Sequence, residues 1–76
     1  MIQMITNIDG KSALEWFNQG IELKKAGNYY KAIDCFENVV KIDPANKATW
    51  KLLGDLYEQI GNYQKTIECY DKSDQL

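Results

Sequence analysis

The chain contains no histidine and no arginine, a single proline and only two cysteines. Without histidine it lacks the side chain that most often moves protons near neutral pH and most often ligates metals. Two cysteines cannot complete a four-ligand zinc site, so no metal or cofactor is expected. Nucleic-acid binding needs clustered positive charge, preferably arginine. Here the net charge is −2 and Lys24-Lys25 is the only adjacent basic pair, so no nucleic-acid partner is expected. No apolar run approaches the roughly 20 residues a membrane span requires. Residues 1–10 contain Ile2, Met4, Ile5 and Ile8 but neither a basic n-region nor a continuous h-region, so they do not read as a secretory signal. These absences point to a cytoplasmic protein with no membrane partner.

What is present is a repeat. Gly27-Asn28-Tyr29 recurs as Gly61-Asn62-Tyr63, and Trp16, Gly20, Ile33 and Cys35 recur as Trp50, Gly54, Ile67 and Cys69. All share one separation of about 34 residues, and a fixed period in the 20–50 range marks units that bury their apolar faces against one another. With 76 residues, 45% hydrophobic and 26% charged, the chain is at most one small globular domain. Equivalent sites on stacked units lie roughly 10 Å apart. A disulfide needs Cα atoms closer than about 7 Å, so Cys35 and Cys69 are expected to be free, buried thiols in a reducing compartment.

Residues 1–11 carry no clear helix signal and read as a partly ordered leader to a two-repeat domain over 12–76. Ser12 with Glu15 three residues later makes a capping box. Trp16, Gly20 and Leu23 follow at helical steps, and Gly27 ends that helix. Asn28 is expected to cap a second helix carrying Tyr29, Ala32, Ile33, Phe36, Val39, Val40 and Ile42 on its apolar face. Asp43-Pro44 ends it, because the residue before proline avoids the α region, and Pro44 suits the first turn of a new helix. Asn46 or Asp43 caps a third helix with Trp50, Leu53, Leu56 and Tyr57, ended by Gly61. A fourth runs from about Tyr63. No strand is expected.

These residues resemble a known family. Trp50-x-x-Leu53-Gly54-x-x-Tyr57 is the first half of the tetratricopeptide-repeat pattern, and Ala32-x-x-x-Phe36 followed by Pro44 is the second. The chain is similar to two tandem copies, over 13–46 and, incompletely, 47–76. The resemblance implies an all-α fold, two helix-turn-helix hairpins stacked as a short right-handed α-solenoid. Gly20 and Gly54 would let the helices of each hairpin approach, opposite small residues such as Ala32, with Trp16, Trp50, Phe36 and Tyr70 filling the space around. Gly54→Leu should then cost about 1–3 kcal/mol and Gly54→Ala much less.

Where the second copy carries Leu53, Leu56 and Ile60 toward a preceding unit, the first carries Gln19, Glu22 and Ala26. Where the first carries Phe17, Ile21, Val39 and Val40 toward a following unit, the second carries Lys51, Asp55, Ser73 and Asp74. Polar outer faces are what terminal repeats need, so the pair is expected to be finished at both ends. Ile67, Tyr70 and Leu76 are the apolar exceptions.

The resemblance also implies a protein–protein interaction module rather than an enzyme, binding a peptide or protein segment in the groove of the first helices. Carried over by position, the lining is Leu14, Phe17, Asn18, Ile21 and Lys24, then Ala48, Lys51, Leu52, Asp55 and Glu58. Phe17 and Ile21 also read as packing between repeats, and Lys51, Asp55 and Glu58 as a solvated face or a lure for a basic segment. The subclass that grips C-terminal carboxylates with lysines and asparagines is not matched, because Phe17, Ile21 and Leu52 stand at those positions. No catalytic residue is assigned. No serine or cysteine has a base at usable spacing, no glycine loop could cradle phosphate, and Asp55 with Glu58 would lie on an open surface. The alternative is a structural self-assembling unit without a peptide ligand. Two repeats fall below the roughly three usually needed for stability. Weak homo-oligomerisation through Ile67, Tyr70 and Leu76, aided by the leader's Ile2, Met4, Ile5 and Ile8, would supply the missing burial.

Overall fold

The computed structural model describes residues 5–76, in which four α-helices follow one another: α1 (Ala13–Lys25), α2 (Tyr29–Ile42), α3 (Lys47–Gln59) and α4 (Tyr63–Gln75). Helices α1 and α2 form one hairpin, α3 and α4 a second, and α2 packs on α3 to join them. There is no strand among the described residues. The all-α, two-hairpin reading stands. The contribution expected of Ile2 and Met4 lies outside the described residues.

Each boundary has a chemical cause. At the start of α1 the Ser12 hydroxyl accepts the Glu15 backbone N–H at 3.2 Å, and the Glu15 carboxylate accepts the Ser12 N–H at 3.1 Å, which completes the capping box. Both hairpin turns are built alike. Gly27 and Gly61 take φ of +79° and +84°, the left-handed region glycine enters without a Cβ clash. That lets Asn28 N–H reach back to Leu23 carbonyl, and Asn62 N–H to Tyr57 carbonyl, both at 2.8 Å. The side chain of Asn62 then caps α4 by accepting from Lys65 N–H at 3.3 Å. Asn28, expected to do the same for α2, makes no such bond. Between the hairpins, Asn46 rather than Asp43 caps α3, accepting from Thr49 N–H at 3.1 Å. Pro44 therefore lies in the connecting turn, not in the first turn of α3.

Ala32, Ile33, Phe36, Val39 and Val40 on α2 meet Leu53, Leu56 and Tyr57 on α3 in one buried cluster that Cys69 of α4 completes. Gly20 and Gly54 each seat an aromatic ring. A Cβ on Gly20 would come within 2.8 Å of the Phe36 ring, and one on Gly54 would overlap the ring of Tyr70. Phe36 and Tyr70, expected to fill the space around the glycines, thus lie directly against the bare backbone. Gly54→Ala is correspondingly less innocent than its single added carbon suggests. Ser73, expected on the outer polar face, is buried instead, and its hydroxyl donates to the Lys47 carbonyl at 3.4 Å across the second hairpin.

The leader has local structure of its own. Ile8 and Lys11 exchange both backbone hydrogen bonds at 3.0 Å around Asp9 and Gly10, whose φ values are +52° and +75°. Such a turn with two positive-φ residues favours Asp-Gly. The Trp16 indole N–H donates to Ile8 carbonyl at 2.9 Å, and the Lys11 ammonium sits 4.6 Å from the Trp16 ring centre. One repeat later the Trp50 indole donates to Pro44 carbonyl at 2.7 Å. In each unit, the tryptophan of the first helix ties down the segment that leads into that helix.

Candidate functional site: the groove of the first helices

An open hollow of about 440 Å³ lies where the N-terminal ends of α1 and α3 meet the connection between hairpins. Ala13, Leu14 and Phe17 line it from α1, Ala48 from α3, and Asp43 and Asn46 from the connection. Leu14 is 68% exposed and presents its apolar side chain at the edge of this hollow. Phe17 is half-buried, its ring packed edge-on against Phe36 with centroids 5.5 Å apart. It forms an apolar floor backed by the fully buried Phe36.

Of the ten groove residues expected from the sequence, the structure brings Leu14, Phe17 and Ala48 to this hollow. Ile21 and Leu52 are half-buried against the core, so they serve packing between the repeats. Asn18, Lys51, Asp55 and Glu58 are exposed and Lys24 half-buried, none of them lining the hollow. Asp55 is engaged: its carboxylate accepts a hydrogen bond from the Tyr70 hydroxyl. That bond, more than burial, pushes the Tyr70 phenol up to about 12. Ala13, Asp43 and Asn46 were not expected at the site. Asp43 and Asn46 flank the proline turn, and that turn was the available signal, since the connection between stacked hairpins passes the end of the groove.

A second polar cluster bridges the repeats. The Tyr57 hydroxyl donates to the Glu37 carboxylate at 2.9 Å, and Lys65 lies 5.7 Å from the Tyr57 ring centre. Burial first, and then the bond to Glu37, raise the Tyr57 phenol. Burial, reinforced by the Glu37 charge, pushes the Cys69 thiol up to about 11, and burial also raises Cys35. Both cysteines are free and buried. Thiols held protonated in this way are poor nucleophiles, and they behave as small apolar residues.

Of the three residues expected at a self-association surface, Ile67 and Tyr70 are neighbours on α4 and Leu76 lies apart from them. Ile67 is 61% exposed on α4 and Tyr70 is half-buried beside it. Leu76 lies half a turn round from Ile67, lining a separate hollow with Pro44, Ala45 and Trp50.

Two hairpins of this geometry, joined in series with glycine seats for aromatic rings, define a helical repeat protein. Family comparison agrees over most of the chain: the tetratricopeptide-repeat model matches residues 13–46, and a second tetratricopeptide-repeat model matches residues 49–76. The chain belongs to the tetratricopeptide-repeat family, with two tandem repeats. Such repeats are in general protein–protein interaction modules. Compared with curated proteins, the chain has no match. No helix among the described residues is long and apolar enough to cross a membrane.

Proposed function

We propose that this chain is a non-catalytic cytoplasmic module that binds a peptide or protein segment in the groove of its first helices, with the Leu14–Phe17–Ala48 hollow as the anchor point. The observation that carries this is the exposed Leu14 beside the half-buried ring of Phe17. An open hollow with an apolar floor takes one apolar side chain of a ligand, while Asp43 and Asn46 on its rim offer polar contacts to the ligand backbone. The buried, protonated thiols of Cys35 and Cys69 fit a reducing compartment.

The test uses the intact chain against a displayed random-peptide library, with Kd of selected peptides read by fluorescence anisotropy. Selected peptides should share an apolar residue. Leu14→Asp should weaken them by about tenfold or more, the loss of one well-seated anchor. It should leave helicity and melting unchanged, because Leu14 is exposed and an acid in the first turn suits the helix dipole. Equal binding to parent and variant would remove the groove reading.

A second reading has a specific observation behind it. Ile67 and Tyr63 are 61% and 65% exposed on α4, which favours self-association through that helix as a further property of the module.

A further inference from the structure

Tyr63 and Ile67 share one side of α4 with Tyr70, Asp71 and Asp74, since positions four, seven, eight and eleven residues on return to the same face. One repeat earlier the same stripe on α2 is Tyr29, Ile33, Phe36, Glu37 and Val40, against which α3 packs. There Ile33 and Val40 are each 5% exposed, and Glu37 accepts the Tyr57 hydroxyl from α3 at 2.9 Å. On α4 no helix among the described residues covers the stripe, and Ile67, Asp71 and Asp74 are exposed. Asp71 stands where Glu37 stands, without the tyrosine that Glu37 receives.

We propose that the stripe of α4 is covered by the same stripe of a second copy, antiparallel and about a two-fold axis through Ile67. In that register Ile67 meets the partner's Ile67, and Tyr63 of each chain faces Asp71 of the other, which repeats the Tyr57–Glu37 bond between molecules. The charges also fit. Asp71 and Asp74 lie near the C-terminal end of their own helix, where the dipole disfavours them. In the antiparallel pair they lie beside the N-terminal end of the partner's α4, where it favours them. A head-to-tail stack is not equivalent. It would press α1 on the stripe, with Gln19, Glu22 and Ala26 where α3 carries Leu53, Leu56 and Ile60, and Glu22 would approach the acidic stripe. The Lys11 ammonium, donating to the Gln19 side chain at 2.5 Å, also holds the leader turn against that face. An isologous contact uses each patch once, so assembly stops at two.

This rests on the self-association reading. Sedimentation equilibrium of the intact chain from micromolar to about millimolar concentration should show monomer and dimer with nothing larger. Tyr63→Glu sets like charges opposite one another at both ends and should raise the dimer Kd by about tenfold or more. The double variant Tyr63→Glu/Asp71→Lys should return it to within about threefold of the parent. Positions 63 and 71 lie about 12 Å apart along one helix, so recovery must come across the pair. Mild oxidation of Ile67→Cys should give a disulfide-linked dimer, while the parent, with its two thiols buried, gives none. Monomer alone at about millimolar concentration would overturn both this geometry and self-association. A dimer indifferent to Tyr63→Glu, not rescued by the double variant and not linked through position 67, would overturn the two-fold pairing and leave self-association standing. Species growing beyond dimer would refute closure.

Discussion

The two hairpins share one pattern and differ in what lies beyond them. Helix α2 is packed on both sides, by α1 and by α3, and buries Ala32, Ile33, Cys35, Phe36, Val39 and Val40. Helix α4 occupies the same place in its hairpin and buries only Thr66, Cys69 and Ser73. Ile33 is 5% exposed and its counterpart Ile67 is 61% exposed, although both are isoleucines in one register. Burial in a repeat protein is thus a property of the interface between units more than of the unit.

The aromatic pair should show this most strongly. Phe36 is fully buried between α1, α2 and α3, so Phe36→Ala should cost about 3–5 kcal/mol and leave the chain largely unfolded at ambient temperature. Tyr70→Ala, one repeat later, should cost less than half as much, since the ring has solvent on one side. Urea denaturation of both variants decides the matter, and equal losses would mean that the second hairpin is as well covered as the first.

The glycines give a smaller version of the same contrast. Gly20→Ala drives a methyl into a ring that has no room to move, and about 1–3 kcal/mol should be lost. At Gly54 the ring of Tyr70 can swing outward at the expense of its bond to Asp55, and the added helix propensity of alanine offsets part of that cost. Thermal melts should therefore rank Gly20→Ala below Gly54→Ala, with the parent above both. The reverse order would show that Tyr70 is held more firmly than its exposure implies.

The smallest expected effect is in alkaline solution. Cys69 is raised from 9.0 to about 11 in the folded chain. A raised group contributes stability that is fully present below its unfolded pKa and is lost as pH rises through the folded one. The melting temperature should hold to about pH 9 and fall toward pH 11, where the thiolate must form inside the core. Cys69→Ala should lessen that fall. Tyr57 and Tyr70, raised as well, sustain it at higher pH. A profile identical in parent and variant would show that Cys69 ionises without cost.

Much of this architecture could be read from residue order, because local chemistry carries it. Ser12 with Glu15, Gly27, Gly61 and Asn46 act on backbone groups within five positions of themselves, so they place the helix ends wherever the rest of the chain goes. The period of Trp16 and Trp50, Gly20 and Gly54, identifies the repeat for the same reason. Only three of the ten expected groove residues meet at the hollow, and the reason is also physical. A position in the helical repeat gives the direction of a side chain from its own helix, but what that side chain meets depends on how the neighbouring helices pack, as Phe17 meets Phe36. Ser73 reads as a surface serine by type, yet the approach of α4 to Lys47 encloses it. Asp55 reads as a free groove carboxylate, yet Tyr70 reaches it from the adjoining helix. Helix positions, caps and repeat unit belong to interactions short enough for the sequence to specify alone. Which equivalent residue is covered, and which remains open to a ligand or a second copy, depends on helices far apart in the chain and arises only when they pack.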